Sequence, residues 1–359
     1  MQIVKASRNR LVACARSLAF ARGCGLACAV VSLFLALLAP GCKRGTQGSL
    51  ADGAPARLRI AVVPKGTTHE FWKSVHAGAV KAAREFDVDI VWKGALREDD
   101  LKGQIDVVQS FVAQGVSGIV VAPLSDRGLV SAVKAANSAH IPVVVFDSDL
   151  ASDEYVSFVA TDNEAAGKMA GDALRARLLV ARAAAHVVLL RYQEGSASTA
   201  LRERGFLDAI RSHPELKLLS DSQYGGATTE SAEKASENLL AAQKADSGNV
   251  QGIFAPNEST TFGMLLALRK AGLAGKLHFV GFDSSEKLVQ AVRSAEIDAL
   301  VVQRPFEMGY LAVRTMIAHL RGQSVDKRID TGSTLVTRDN IDSPEIKTLV
   351  SPDLKLWLE

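Results

Sequence analysis

From Leu58 onward the chain alternates two hydrophobic patterns. Short β-rich runs, most of them continuously apolar, occur at 58–64, 89–92, 118–123, 142–147, 157–162, 186–190, 252–256, 277–283 and 297–303. A run apolar at every position suits a parallel strand covered on both faces, because neither face can be polar. Between the runs lie segments with apolar residues at helical spacing, such as FWKSVHAGAVKAAREF (71–86) and TTFGMLLALRKAG (260–272). Strand–helix alternation with right-handed crossovers predicts open, doubly wound α/β sheets. Nine strands are many for one sheet, so two lobes are expected, with a first passage between them near Thr161 and Asp162.

The 359 residues, 48% of them apolar, suffice for two domains with real cores. The formal charge of +3 comes from the front of the chain. Residues 1–41 hold Lys5, Arg8, Arg10, Arg16 and Arg22 and no acid, so the remainder carries 3 − 5 = −2. That balance leaves no electrostatic footprint for nucleic acid. A basic start, an apolar stretch from Leu26 to Ala39 and small residues before Cys42 predict a secretory signal over 1–41. An uncleaved anchor over 23–41 is the alternative. All four cysteines, at 14, 24, 28 and 42, lie in or beside this leader, so the body has no disulfide and no thiol chemistry. Residues 42–57, polar and Gly/Ala-rich, read as a flexible tether.

In open α/β sheets ligands lie beyond the carboxyl ends of the strands. The polar and aromatic residues at those ends are therefore the candidates: Phe71 and Trp72 after the first strand, Asp147 after the fourth, then Asn257, Asp283 and Gln303. Arg202 follows on the helix beginning near Ser198, and Tyr224 lies in QYGG. Carboxylates accept from pairs of hydroxyls, Arg and Asn donate in fixed planes, and aromatic faces cover the C–H side of a sugar ring. Each residue also has a plainer role: Asp147, Asn257 and Asp283 as helix caps, Arg202 as a surface charge, the aromatics as core, Gln303 as a turn residue. Their joint placement at strand ends is what favours a carbohydrate site. HEFWKSVH has Lys73 where a zinc protease needs its second His, KGTT is not a P-loop, and GSAST lacks the closing Gly of a nucleophile elbow. No metal, cofactor or catalytic residue is expected.

Eight blocks together resemble the periplasmic sugar-binding proteins of the ribose-binding type, the soluble receptors of ABC importers. They are IAVVPKGTTHEFWKSVHAGA (60–79), GIVVAPLSD (118–126), IPVVVFDSD (141–149), SFVATDN (157–163), GSASTALRERGF (195–206), GIFAPNESTTFGM (252–264), VGFDSS (280–285) and ALVVQRPFEMGY (299–310). The resemblance spans 58–350 and implies two lobes crossed three times: 58–161 with 304–332, and 162–303 with 333–359. It implies stacking by Phe71 and Trp72 and a hydroxyl-binding role for Asp147. Arg202 then supplies the sugar-binding Arg, Asn257, Asp283 and Gln303 fill second-lobe and hinge positions, and Tyr224 falls near a family aromatic. His69 stands where some members have Asn, and Ser148 where ribose-type members often have Arg, so another pentose, a hexose or a cyclic polyol is expected as readily as ribose. LAPGC (38–42) resembles a lipoprotein box, with Ala39 where the usual Leu stands, which implies lipid on Cys42. The expectation is a monomeric, lipid-anchored receptor in the periplasm or on the cell surface that serves an ABC permease. A sensor domain for a chemoreceptor or histidine kinase, using the same pocket, is the alternative.

Overall fold

The computed structural model describes residues 57–181 and 184–359. The leader, Cys42 and the tether up to residue 56 lie outside the described residues. In chain order the first part runs β1 (Arg59–Val63), α1 (Glu70–Phe86), β2 (Asp89–Trp92), α2 (Leu101–Ala113), β3 (Gly118–Val121), α3 (Val130–Ser138), β4 (Val143–Phe146) and β5 (Ser157–Ala160). Next come α4 (Asn163–Ala181), β6 (Ala185–Arg191), α5 (Ala197–Arg211), β7 (Leu216–Tyr224), α6 (Thr229–Ala242), β8 (Gly252–Phe254), α7 (Glu258–Lys270), β9 (His278–Phe282), α8 (Glu286–Arg293) and β10 (Ala299–Gln303). The chain ends with α9 (Pro305–Leu320), β11 (Arg328–Asp330), β12 (Ser333–Thr337), α10 (Pro344–Val350) and α11 (Lys355–Leu358).

The strands form two six-stranded sheets, ordered β11-β5-β4-β3-β1-β2 and β12-β10-β9-β8-β6-β7. Every pair is parallel except β10–β12. The unbroken apolar runs have a direct cause. In β1, Ile60 and Val62 face the core beneath α1 and α9, while Ala61 and Val63 face the core beneath α2 and α3. In β6, Val187 and Leu189 pack with Phe206 of α5, and Val188 and Leu190 pack with Met264 and Leu268 of α7.

The chain passes from the first sheet to the second after β5, returns after β10, and passes again between β11 and β12. α9 packs on β3, β4 and β5, so it belongs to the first lobe. One segment departs from the expected assignment of 333–359 to the second lobe. The last helix, α11, packs on α1 instead. Arg84 donates to the carbonyls of Leu356 and Trp357 at 3.0 and 3.2 Å, its guanidinium lies over the Trp357 ring, and that ring meets Phe306 of α9. Trp357 finds apolar and cationic partners there that a free chain end would lack.

The missed strands are β7, β11 and β12. Each is at or near a sheet edge and buries few residues, so none carries an apolar run. The two helices of the first lobe that touch most closely are α1 and α9. Gly78 lies so near that a Cβ there would stand 1.9 Å from the Phe306 carbonyl oxygen, and one at Gly309 would stand 2.0 Å from that of Val75. This interlock fixes the axis of α1, and with it the place of Phe71 and Trp72 at its start.

Candidate functional site

The carboxyl ends of both sheets face each other, and fourteen residues line a cavity between them: Lys65, His69, Phe71, Trp72, Glu98, Asp147, Tyr192, Ser198, Thr199, Arg202, Asn257, Glu258, Asp283 and Gln303. Eight of the ten expected site residues are in this set. The lobes meet closely enough to leave about 30 Å³, room for water and not for a ring. A wider groove of about 1360 Å³ lies beside it and shares His69, Phe71, Glu98, Glu258, Asp283 and Gln303.

Asp147 and Asp283 hold equivalent places in the two lobes. Each follows a central strand, donates its backbone N–H to the neighbouring strand (Val159 O, 3.0 Å; Val301 O, 2.9 Å) and has a positive φ, 60° and 65°. A non-glycine residue in the left-handed region is strained and concentrates at functional positions. No helix starts at Asp147, and the cap of α8 is Ser285; Asp283 Oδ2 instead accepts from Glu258 N, the first N–H of α7, at 3.2 Å. Asn257 does cap, with its Oδ1 accepting from Thr260 N at 3.2 Å while it also lines the cavity.

Arg202 is buried and held on three sides. Its Nε donates to Asn163 Oδ1 at 2.8 Å, its Nη1 donates to the Pro256 carbonyl at 3.0 Å, and its plane lies 4.0 Å from the Phe282 ring centre. Asp283 is 4.0 Å away. Burial lowers the Arg202 pKa, and Asp283 opposes the shift. Gln303, last in β10, donates through Nε2 to Asp283 Oδ1 at 2.8 Å. Three buried polar atoms in this cavity lack an aligned partner: Arg202 Nη2, Gln303 Oε1 and Asp147 Oδ2. Lys65 Nζ stands 2.8 Å from Asp147 Oδ2, a close ion pair at a poor hydrogen-bond angle.

Phe71 and Trp72 meet edge to face, centres 4.8 Å apart, and belong to the core cluster as well as the cavity wall. Trp72 Nε1 donates to Glu98 Oε1 at 2.6 Å, and Tyr192 OH donates to Glu98 Oε2 at 2.6 Å. His69 Nδ1 is 2.8 Å from Glu98 Oε1. Burial would lower the His69 pKa, but Glu98 outweighs it and holds the imidazolium at about 9. For Glu98 burial pushes up, and His69, Lys65 and Tyr192 together bring the carboxyl down to about 2.

Two expected residues stand elsewhere. Tyr224 ends the edge strand β7, with the Arg191 guanidinium 5.0 Å from its ring centre, and is not on the cavity wall. Ser148 is fully buried, and its Oγ accepts from Ser198 N at 3.1 Å, a contact between lobes. Lys65, Glu98, Tyr192, Ser198, Thr199 and Glu258 were not singled out. For Lys65, Tyr192 and Glu258 a signal existed, since each sits within a few residues of a strand's carboxyl end.

Two parallel-sheet lobes with strand-end side chains converging on a crevice define a two-lobed ligand-binding protein of the type I periplasmic class. The chain belongs to the periplasmic binding protein domain family, whose model matches residues 60–324. It is 31% identical to the ribose import binding protein RbsB of Haemophilus influenzae over 281 residues, 78% of this chain and 92% of that one. Its fold matches a carbohydrate transporter solute binding protein from Agrobacterium radiobacter in complex with D-arabinose, with TM-score 0.78 and 32% identity, over 83% of this chain and 100% of that one. An ABC transporter solute binding protein from Agrobacterium vitis with bound D-fucose matches with TM-score 0.77 and 35% identity, over 81% and 99%.

Proposed function

We propose that this protein is an extracytoplasmic receptor that closes on one neutral monosaccharide or cyclic polyol and delivers it to an ABC permease, held at the membrane by lipid on Cys42. The observation that carries the reading is the pair of unsatisfied atoms in one cavity: a donor on Arg202 and an acceptor on Gln303. Leaving such groups unpaired in a buried site is costly, and a hydroxyl, which both donates and accepts, answers them. Phe71 and Trp72 lie in the same wall and offer the apolar side of a ring its cover.

Charge accounting supports a neutral ligand. Lys65 is paired with Asp147, His69 with Glu98 and Arg202 with Asp283, so no cation in the crevice is left over for an anion. The small closed cavity supports hinge opening to admit a ring, with flexure at the three passages between sheets. The relatives with bound D-arabinose and D-fucose support the sugar class. Binding selects the closed form, and no bond in the ligand is made or broken.

A thermal-shift series with D-arabinose, D-fucose, D-ribose, myo-inositol and D-glucuronate tests this. A neutral member at a hundred times its Kd adds about 2.7 kcal/mol of stability. Stabilisation by D-glucuronate alone, or by none of the five, refutes the proposal.

A further inference from the structure

Helix α1 has no cap of its own. His69 stands at its N-cap position, makes no side-chain bond to the helix, and spends its ring on Glu98. The first free N–H groups of α1 are taken by a residue of the other lobe. Glu258, first in α7, accepts from Phe71 N at 3.2 Å and Glu70 N at 3.4 Å. A carboxylate on a helix N-terminus answers both the orphan donors and the positive end of the dipole. This contact exists only while the lobes are together. We propose that Glu258 is the positioning residue that latches the closed state, by capping α1 across the crevice.

The surroundings set the sign. Facing Glu258 are His69, Glu70 and, through His69, Glu98 on the first lobe, and Asp283 on its own, whose Oδ2 accepts from Glu258 N at 3.2 Å. Lys65 and Arg202 line the same cavity, and Arg97, Glu230, Glu286 and Lys287 line the adjoining groove. Burial raises the Glu258 pKa from 4.5 to about 7, against the pull of His69 and the α1 N–H groups. With the lobes apart the carboxyl returns to water and its ordinary value. The closed form therefore holds the extra proton between these pH values, and closure strengthens as pH falls through 7. In the closed form His69 at about 9 and Glu98 at about 2 keep their charges from pH 5.5 to 8. Asp283 is also raised by burial, and it is common to every variant compared below.

The inference rests on the lobes parting, and the experiment reads that motion without any sugar. The body has no cysteine, so Leu96→Cys on the first lobe and Lys234→Cys on the second can carry spin labels once Cys14, Cys24, Cys28 and Cys42 are replaced by Ser. Electron–electron distance measurements on the full chain should show the short-distance population rising as pH falls from 8 to 5.5. Glu258→Gln keeps the cap acceptor without the charge. It should hold the short distance at both pH values, and at pH 8 exceed the parent protein. Glu258→Ala, which loses the cap and the charge together, should be less closed than Glu258→Gln at both pH values. A pH-insensitive parent, a Glu258→Gln variant with the parent's pH response, or a Glu258→Ala variant as closed as Glu258→Gln overturns the proposal. With whichever neutral sugar binds, the parent's Kd should tighten roughly 10- to 30-fold from pH 8 to 5.5 and that of Glu258→Gln should change by far less. If no sugar binds, the receptor reading fails while the label distances still decide the latch.

Discussion

Replacing Arg202 by Met keeps the apolar stem and removes every donor, so it separates what the guanidinium does for the fold from what it does for the ligand. For the fold, Asn163 Oδ1 and the Pro256 carbonyl lose their partners, at 2.8 and 3.0 Å, and Asp283 loses its nearest cation. Hydrogen bonds to charged groups contribute about 1.5–3 kcal/mol each. Against that, burying the guanidinium itself costs several kcal/mol in desolvation, which the variant recovers. The expected net loss of stability is about 1–3 kcal/mol. For the ligand, Nη2 is the one Arg202 donor without a protein partner. Its loss removes a charge-assisted bond to a sugar oxygen, about 1.5–3 kcal/mol or roughly 10- to 150-fold in Kd. Chemical denaturation and isothermal calorimetry with D-arabinose or D-fucose, run on the same preparation, give the two numbers. If the folded variant binds within twofold of the parent, Nη2 does not reach the ligand and the site assignment is wrong.

Three other outcomes are expected. Gly78→Ala drives a methyl group into the Phe306 carbonyl, so α1 and α9 separate; overpacking of this kind costs about 1–3 kcal/mol, visible as a lowered denaturation midpoint at unchanged slope. Glu98, held at about 2 in the fold against 4.5 ordinarily, contributes stability that is complete above pH 4.5 and disappears as pH falls toward 2; Glu98→Gln should flatten the acid limb of the stability curve, and an unchanged limb counts against the His69–Glu98–Tyr192 cluster. Trp72→Phe should abolish a ligand-dependent change in tryptophan emission, since Trp92 and Trp357 do not line the cavity; a signal of undiminished size rules out Trp72 as the reporter.

The central strands were legible because parallel β-structure covered on both faces leaves no polar position to break the run: VVVF in β4 is buried at every residue. β7, with Ser220, Asp221, Ser222 and Gln223 in its second half, has one hydrogen-bonded neighbour among the described strands and reads as a loop. The site shows the same division. Asp147 and Asp283 could be picked out because the ends of central strands are few and lead to one place. Glu98 carries a charge that looks, in sequence, like that of any solvated loop, and Lys65 and Glu258 lie near strand ends without showing which group they meet. Only the meeting of two lobes buries them, and sequence periodicity reports on a single element at a time. Asn257 shows that the plain and the functional readings need not compete, because one oxygen caps α7 while the residue faces the crevice. Glu258 carries this furthest. Its local role is that of an acid at the start of its own helix, favoured by the dipole there, yet its carboxyl completes a different helix nearly two hundred residues earlier in the chain. For a residue whose meaning depends on two bodies coming together, the sequence shows at most where it sits, after a strand end, and not the group of the other lobe that it meets.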